Sequence, residues 1–482
     1  MVLADSACLL LCLKHYPLDR IDDSFRAFPP TCDILAIVMK PSLNELRTHA
    51  RNIFSAALIA SDPGAAVKRN LRLRGDRLHV AGRVYEFASI RHVFVAGCGK
   101  ASAPMASAVE ELLGDKIADG VIVVKYGHGL PLKKIRVVAA GHPIPDQAGL
   151  DGARQVVELV HKCDERDLVL FLISGGGSAL LPFPAGGLSL ADKQQTTEAL
   201  LKSGAGIGEI NALRKHLSRL KGGQLAKLVA PAHLIALILS DVVGDALDAI
   251  ASGPTAPDNS TYEECLQILR RYRLHDRIPS AVIDYLQSGA DGKHDETPKP
   301  SDAIFQKVQN VVIGSNRIAV EAARQRADAL GYHTMILGDS IEGESRAVAR
   351  SHASLMQEIA RTNKPIPRPA CVISGGETTV TVSGDGVGGR NQEFALAAAI
   401  EIDGLKDAVL LSGGTDGTDG PTDAAGGIID GSTVERGKAK GLDARDFLNR
   451  NDSYHFLRAT DDLLVTGPTL TNVMDLQVAL IS

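Results

Sequence analysis

The chain has 482 residues, 45% apolar and 23% charged, with a formal net charge of −5; this length asks for two or more domains of about 100–200 residues, and the balance is that of a globular chain, not a disordered one. Aromatic residues make up only 4%, Trp is absent and no strongly basic patch stands out, which argues against a groove that tracks phosphates and stacks bases, so nucleic acid is not an expected partner. The seven cysteines, Cys8, Cys12, Cys32, Cys98, Cys163, Cys265 and Cys371, are widely spaced without a C-x-x-C pair, and H-E-x-x-H is absent, a pattern that speaks against a disulfide framework or structural zinc and fits a reducing, cytoplasmic setting.

Residues 7–13 are apolar but too few to span a bilayer, and no other stretch approaches ~18 uninterrupted apolar residues, so no membrane segment is expected. No basic segment precedes residues 7–13, as a secretory signal would require. Residues 1–38 show neither helical nor strand periodicity, and Met39 stands directly before a helical pattern. They are expected to be an added tail or a misassigned translation start. From Leu43 onward, Leu46, Ala50, Ile53, Phe54, Ala57 and Leu58 recur at helical spacing, predicting a helix with one buried face that Ser61-Asp62-Pro63-Gly64 ends.

A unit then recurs in which a short apolar run meets a glycine-rich or polar turn. Residues 92–96 lead to Gly97-Cys98-Gly99-Lys100, residues 168–173 to Ser174-Gly175-Gly176-Gly177-Ser178, and residues 234–239 to Ser240-Asp241. Residues 311–313 lead to Gly314-Ser315-Asn316, residues 371–373 to Ser374-Gly375-Gly376-Glu377, and residues 409–411 to Ser412-Gly413-Gly414-Thr415-Asp416. Runs that are apolar throughout suit strands covered on both faces, and their alternation with helical patterns predicts an α/β fold with a largely parallel sheet. Ligands then bind beyond the carboxyl ends of the strands, where these turns lie. The polar, Gly- and Pro-containing stretch 288–301 reads as a linker, dividing a first domain, 39–288, from a second, 301–482; 362–369, with three prolines, reads as a further loop.

The turns carry the candidate chemistry. The 174–178 loop can bring backbone amides close to an anion, or can be a tight turn only. Gly97 and Gly99 with Lys100 resemble a P-loop superficially, but the sequence lacks its first glycine and its Ser/Thr after the lysine, and lacks the third glycine of a dinucleotide fingerprint. Lys100 can still neutralise a transferring phosphoryl group, or be an exposed surface lysine. Residues 211–223 place Arg214, Lys215, His216, Arg219 and Lys221 around an apolar stripe of Leu213, Leu217 and Leu220; this is a solvated basic face or a polyphosphate-facing helix. Asp241 and Asp245 follow a buried strand and are candidates to assist Mg²⁺, while Asp416, Asp419 and Asp423 occupy a loop without calcium-site spacing. Arg390 can hold a carboxylate or phosphate bidentately.

Taken in order, these segments resemble the glycerate 2-kinase family. The resemblance rests on 97–101, Gly141-His142-Pro143-Ile144-Pro145-Asp146, 174–178, 211–223, 240–245 and Ser252-Gly253-Pro254-Thr255 with Asp258. It continues in Ser374-Gly375-Gly376-Glu377-Thr378-Thr379, 388–393, 416–423, Thr466-Gly467-Pro468-Thr469 and Thr471-Asn472-Val473, which are similar to the family's C-terminal MOFRL domain. The resemblance implies a Rossmann-like α/β/α domain joined to a smaller α/β domain, with the active site between them. It implies ATP-dependent phosphorylation of D-glycerate to 2-phosphoglycerate with Mg²⁺, and carries the family's active-site lysine and arginine onto Lys100 and Arg390. Gly97, Gly99 and residues Ser174, Gly175, Gly176, Gly177 and Ser178 become the expected nucleotide or phosphate contacts, and Asn211, Arg214, Glu377 and Asn391 the expected substrate contacts. Leu470 departs from the family's usual glycine, and Asp385 sits in a stretch less basic than the family pattern. A homodimer is left open. The rival readings are a nicotinamide-dependent hydroxypyruvate reductase, against which the missing G-x-G-x-x-G counts, and a non-enzymatic nucleotide or metabolite sensor.

Overall fold

A computed structural model describes residues 40–482; the segment expected to be a tail, 1–38, lies outside them. The first helix is Leu43–Ala60. Ser42 accepts a hydrogen bond from the Glu45 amide and gives its own amide to the Glu45 carboxylate, which satisfies two donors that a helix start leaves orphaned. Leu46, Ala50, Ile53, Phe54 and Ala57 are buried, as their spacing predicts. Pro63 and Gly64 end this helix but open another, Pro63–Asn70, capped by Asp62, because Pro suits a first helical turn where its missing amide costs nothing.

Three short strands, β1 (Leu71–Arg74), β2 (Arg77–Val80) and β3 (Arg83–Glu86), form a small antiparallel meander. The first main sheet contains β4 (Val93–Cys98), β5 (Ile117–Lys125), β6 (Ile135–Ala140), β7 (Leu168–Ile173), β8 (His233–Leu239) and β9 (Val308–Gly314) in the order β6-β5-β4-β7-β8-β9, parallel throughout. Alternate residues serve two cores: Val95, Leu170, Leu172 and Leu237 face one, Phe94, Ala96, Phe171 and Ile238 the other. This strand order reverses direction between β4 and β7, so the crevice of a doubly wound sheet opens at the carboxyl ends of those two strands.

The sheet also takes in β9, which follows the stretch 288–301. That stretch is not a free linker: Glu296 accepts the Tyr262 amide at 2.9 Å and meets His216 at 3.0 Å, and buried Thr297 donates to Asp258. It follows a helical annex, Leu190–Ser203, Ile207–His216, Tyr262–Arg271 and Ser280–Ala290, which has its own apolar cluster around Leu213, Cys265 and Leu269.

The second main sheet contains β10 (His333–Glu344), β11 (Ala370–Thr379), β12 (Ala408–Gly414), β13 (Gly426–Asp430), β14 (Leu463–Leu464) and β15 (Asp475–Ile481), in the order β10-β11-β15-β12-β13-β14. Only β10 and β11 pair in parallel, so the largely parallel sheet expected from sequence describes the first lobe and not the second. β15 inserts antiparallel between β11 and β12, and β13 and β14 continue the antiparallel pairing beyond β12. Helices Ser345–Thr362 and Arg390–Glu401 cover one face of this sheet, and Leu43–Ala60 with Asn316–Ala329 cover the other. The first helix therefore belongs by packing to the second lobe, where Arg47 reaches the buried Asp430 and Asp462, both shared with Arg436. The two lobes also share one continuous apolar cluster through these helices. Among the described residues no helix is long and apolar enough to cross a membrane, and the four described cysteines form no disulfide.

Candidate active site

The turns after β4 and β7 are laced together at the switch point. The Lys100 amide donates to Gly175 O at 2.9 Å, the Ala101 amide to Ser174 Oγ at 2.9 Å, and the Ser174 amide to Cys98 O at 3.1 Å. This lacing explains three residues expected to touch phosphate. Gly97 lies inside β4, where a Cβ would come within 2.6 Å of Leu172 O, and Gly99, at φ +133°, would place one 2.2 Å from Ser174 Oγ. Ser174 is itself buried with its hydroxyl engaged. These three are packing residues. Gly175 and Gly176 remain at the crevice, and their amides donate to no group among the described residues.

Lys100 projects beside Gly176, where a Cβ would come within 3.5 Å of Lys100 Cγ and 2.9 Å of His142 Cδ2. His142 belongs to a segment that carried the resemblance but was not singled out as a site residue. Burial, aided by the Lys100 charge, lowers its imidazole to about 4, so it is neutral at pH 7. Asp241, at the end of β8, lies over Gly175, where a Cβ would come within 2.3 Å of its Oδ2. Burial pushes its carboxyl up to about 6 against the pull of Lys100, and Glu377 of the second lobe adds to the rise. Asp245, in the short turn Val243–Asp245, has no side-chain partner among the described residues.

In the second lobe Arg390 opens the helix Arg390–Glu401. Asp419 acts as its cap, accepting the amides of Asn391 at 3.1 Å and Gln392 at 2.8 Å, and burial pushes this carboxyl up to about 6. The Arg390 guanidinium donates from Nε to Asp475 Oδ2 at 2.6 Å, from Nη2 to Asp475 Oδ1 at 3.0 Å, and from Nη1 to Glu377 Oε1 at 2.6 Å. Burial opposes its charge, but Asp475 and Glu377 outweigh it and hold the proton more tightly than usual. Asp475 was not legible as a site residue; its one signal is a lone acid opening a mostly apolar strand. Asn391, expected to contact substrate, is internal: it is buried, and its Oδ1 accepts from Ser412 Oγ at 2.7 Å. A groove of about 640 Å³ runs past Glu377, Gly388, Arg390, Asp416 and Asp419.

The lobes meet at this point. Asp241 feels both Lys100 and Glu377, and Glu377 pairs with Arg390. Asn472 comes near Gly175, and Asn316, at the end of β9, donates to the carbonyls of Val473 and Asp475 at 2.8 Å each. Leu470, beside this contact, holds φ +60°, a left-handed backbone that explains a glycine there. Behind the 174–178 loop, Ser178 Oγ and Ser252 Oγ lie 2.8 Å apart, Ser252 donates to Asn211 Oδ1 at 3.2 Å, and Arg214 Nη1 lies 3.5 Å from the same oxygen. The basic run 211–223 is not a solvated face: Lys215 is buried on Asp248 and Asp258, His216 is buried on Glu296, and Lys221 is buried, leaving Arg219 exposed over Phe183. Among the described residues no group of three or more His, Cys, Asp or Glu could hold a metal ion by itself.

The chain matches a domain of unknown function, DUF4147, over residues 49–287 and the MOFRL family over residues 370–475. It is 44% identical to a D-glycerate 2-kinase of Thermotoga maritima, over 90% of this chain and 98% of that protein. It is 42% identical to a glycerate 2-kinase of Pyrococcus horikoshii, over 91% of this chain and 98% of that protein. The crystal structure of a Thermotoga maritima glycerate kinase superposes with a TM-score of 0.82 at 43% identity, over 91% of this chain and all of that one. Matched at 42–44% identity along nearly the whole of these relatives, the chain belongs to the glycerate 2-kinase family.

Proposed function

We propose that the chain transfers the γ-phosphoryl group of ATP to the 2-hydroxyl of D-glycerate, giving 2-phosphoglycerate and ADP, with Lys100 and Arg390 as its catalytic cations. The observation that carries this reading is their meeting at one crevice from two lobes, with the carboxylates of Asp241 and Glu377 between them. In the transfer the 2-hydroxyl oxygen forms a bond to the γ-phosphorus, the bond to the β–γ bridging oxygen breaks, ADP leaves with that electron pair, and the hydroxyl proton is released to solvent. Charge spreads over the equatorial oxygens of a loose transition state, so fixed cations aimed beforehand matter more than a strong base.

Arg390 supplies a permanent charge whose direction Asp475 sets. Lys100, which has no ion-pair partner within 4 Å among the described residues, takes phosphate oxygens directly. The amides of Gly175 and Gly176 add donors at the switch point. His142 stays neutral beside Lys100 and does not add to the cationic charge there. Asp241 and Glu377 fit the one or two carboxylates that Mg²⁺ takes in addition to phosphate oxygens and water, and the bound ion would neutralise charge on the β- and γ-phosphates.

The test is product analysis after incubation with MgATP and D-glycerate, alongside K100A and R390A. The expected result is 2-phosphoglycerate, with turnover strongly reduced in both variants while their melting curves stay cooperative. Formation of 3-phosphoglycerate, or near-normal turnover in either variant, refutes the assignment.

A further inference from the structure

Three cations lie behind the 174–178 loop without a counterion. Lys193 and Lys221 are 8% and 3% exposed, and Arg214 is half-buried. None has a carboxylate within 4 Å among the described residues; the neighbouring Asp248 and Asp258 are taken by Lys215. Their partners are sparse: Lys193 Nζ donates to Leu217 O at 2.8 Å, Lys221 Nζ to Ala251 O at 3.4 Å, and Arg214 reaches only Asn211 Oδ1. Burial and mutual repulsion lower both lysines, Lys221 to about 8. Buried like charges with so few acceptors are costly in the free protein, and an anion would offset that cost.

We infer that Lys193, Arg214 and Lys221, with Ser178, Asn211 and Ser252, form the subsite for the carboxylate of the hydroxy-acid substrate. This rests on the kinase reading and deepens it. Two observations favour a carboxylate over the nucleotide phosphates. MgATP brings a metal that wants carboxylate ligands, and those lie on the Lys100 side, at Asp241 and Glu377. The side chains behind the loop are these cations together with the hydroxyls of Ser178 and Ser252 and the Asn211 amide, groups suited to a small hydroxylated anion without a metal. The cluster borders the reaction site: Gly177 packs against Ala251, the residue whose carbonyl Lys221 holds, and directly follows Gly176, beside which Lys100 projects.

The test uses the full chain with K221M and, on the half-buried side, R214Q. The expected result is a KM for D-glycerate raised at least tenfold in both, with the KM for MgATP within about threefold of wild type. D-glycerate alone should raise the melting temperature of the wild type but not of K221M, and ligand-free K221M should melt no lower than the wild type. A rise confined to the MgATP KM assigns the pocket to nucleotide and overturns the inference. So do unchanged KM values, or a ligand-free K221M that melts lower, the mark of a purely structural lysine. Wild-type turnover tests the kinase reading, and the D-glycerate melting shift tests the pocket without turnover, so either can fail alone.

Discussion

Replacing Asp475 with Asn tests whether Arg390 is aimed by its buried partner. Arg390 makes three charge-assisted hydrogen bonds, two of them to Asp475, whose side chain is fully buried. Removing one partner of a buried pair costs about 3–5 kcal/mol. Here Glu377 remains, the Arg390 side chain is 34% exposed, so solvent screens part of the loss, and Asn keeps the shape and one acceptor. Burial also raises the Asp475 carboxyl, a cost that Asn escapes. The net loss of stability should be roughly 1–2 kcal/mol. Catalysis should suffer more, because a guanidinium that loses its bidentate clamp loses its direction: kcat should fall about a hundredfold, roughly 2.7 kcal/mol. The assay is ADP release under saturating substrates, together with a urea melt, for D475N, R390K and the double variant. If Asp475 acts through Arg390, the double variant should be no worse than R390K alone. Additive losses in the cycle, or wild-type kcat in D475N, would refute the reasoning.

Arg47→Ala should destabilise the protein by about 3 kcal/mol, because it leaves Asp430 and Asp462, 1% and 0% exposed, with Arg436 as their shared cation; urea unfolding checks this, and KM values should stay within twofold. Leu470→Gly should leave stability unchanged or raise it by up to about 1 kcal/mol, since it relieves a left-handed backbone at a residue 44% exposed, with glycine's chain entropy offsetting part of the gain; a lower melting temperature would count against strain at this position. The pH dependence has a definite sign. Lys221 is lowered from 10.5 to about 8 in the folded enzyme, so its charge is lost as pH rises through about 8, and kcat/KM for D-glycerate should decline above that pH. Between 8 and 10.5 the unfolded chain binds more protons at this group, so its contribution to stability rises with pH over the same window; the difference between wild type and K221M in both profiles isolates the group, and parallel profiles would exclude it.

Features written in short segments were legible without coordinates. The helix from Leu43, the apolar strands, and the glycine turns at the ends of β4 and β7 depend on neighbours a few residues away: a capping pair at Ser42 and Glu45, a run apolar on both faces, a turn that needs positive φ at Gly176. Lys100 and Arg390 stood out as candidates because each follows or opens a segment of that kind, and the family resemblance supplied the roles expected of them. What such segments do not encode is which distant segment they meet. A strand covered on both faces looks the same whether its neighbour runs parallel or antiparallel, so the insertion of β15 between β11 and β12 and the membership of β9 in the first sheet were settled by tertiary packing. The same holds for charge. Gly97, Gly99 and Ser174 read as phosphate contacts until Leu172 and the opposing loop were seen against them, and Asn391 read as a substrate contact until Ser412 and Asp419 enclosed it. Lys193 and Lys221 carry no local mark of burial, because a lysine is solvated by default and only the elements folded over it remove its water.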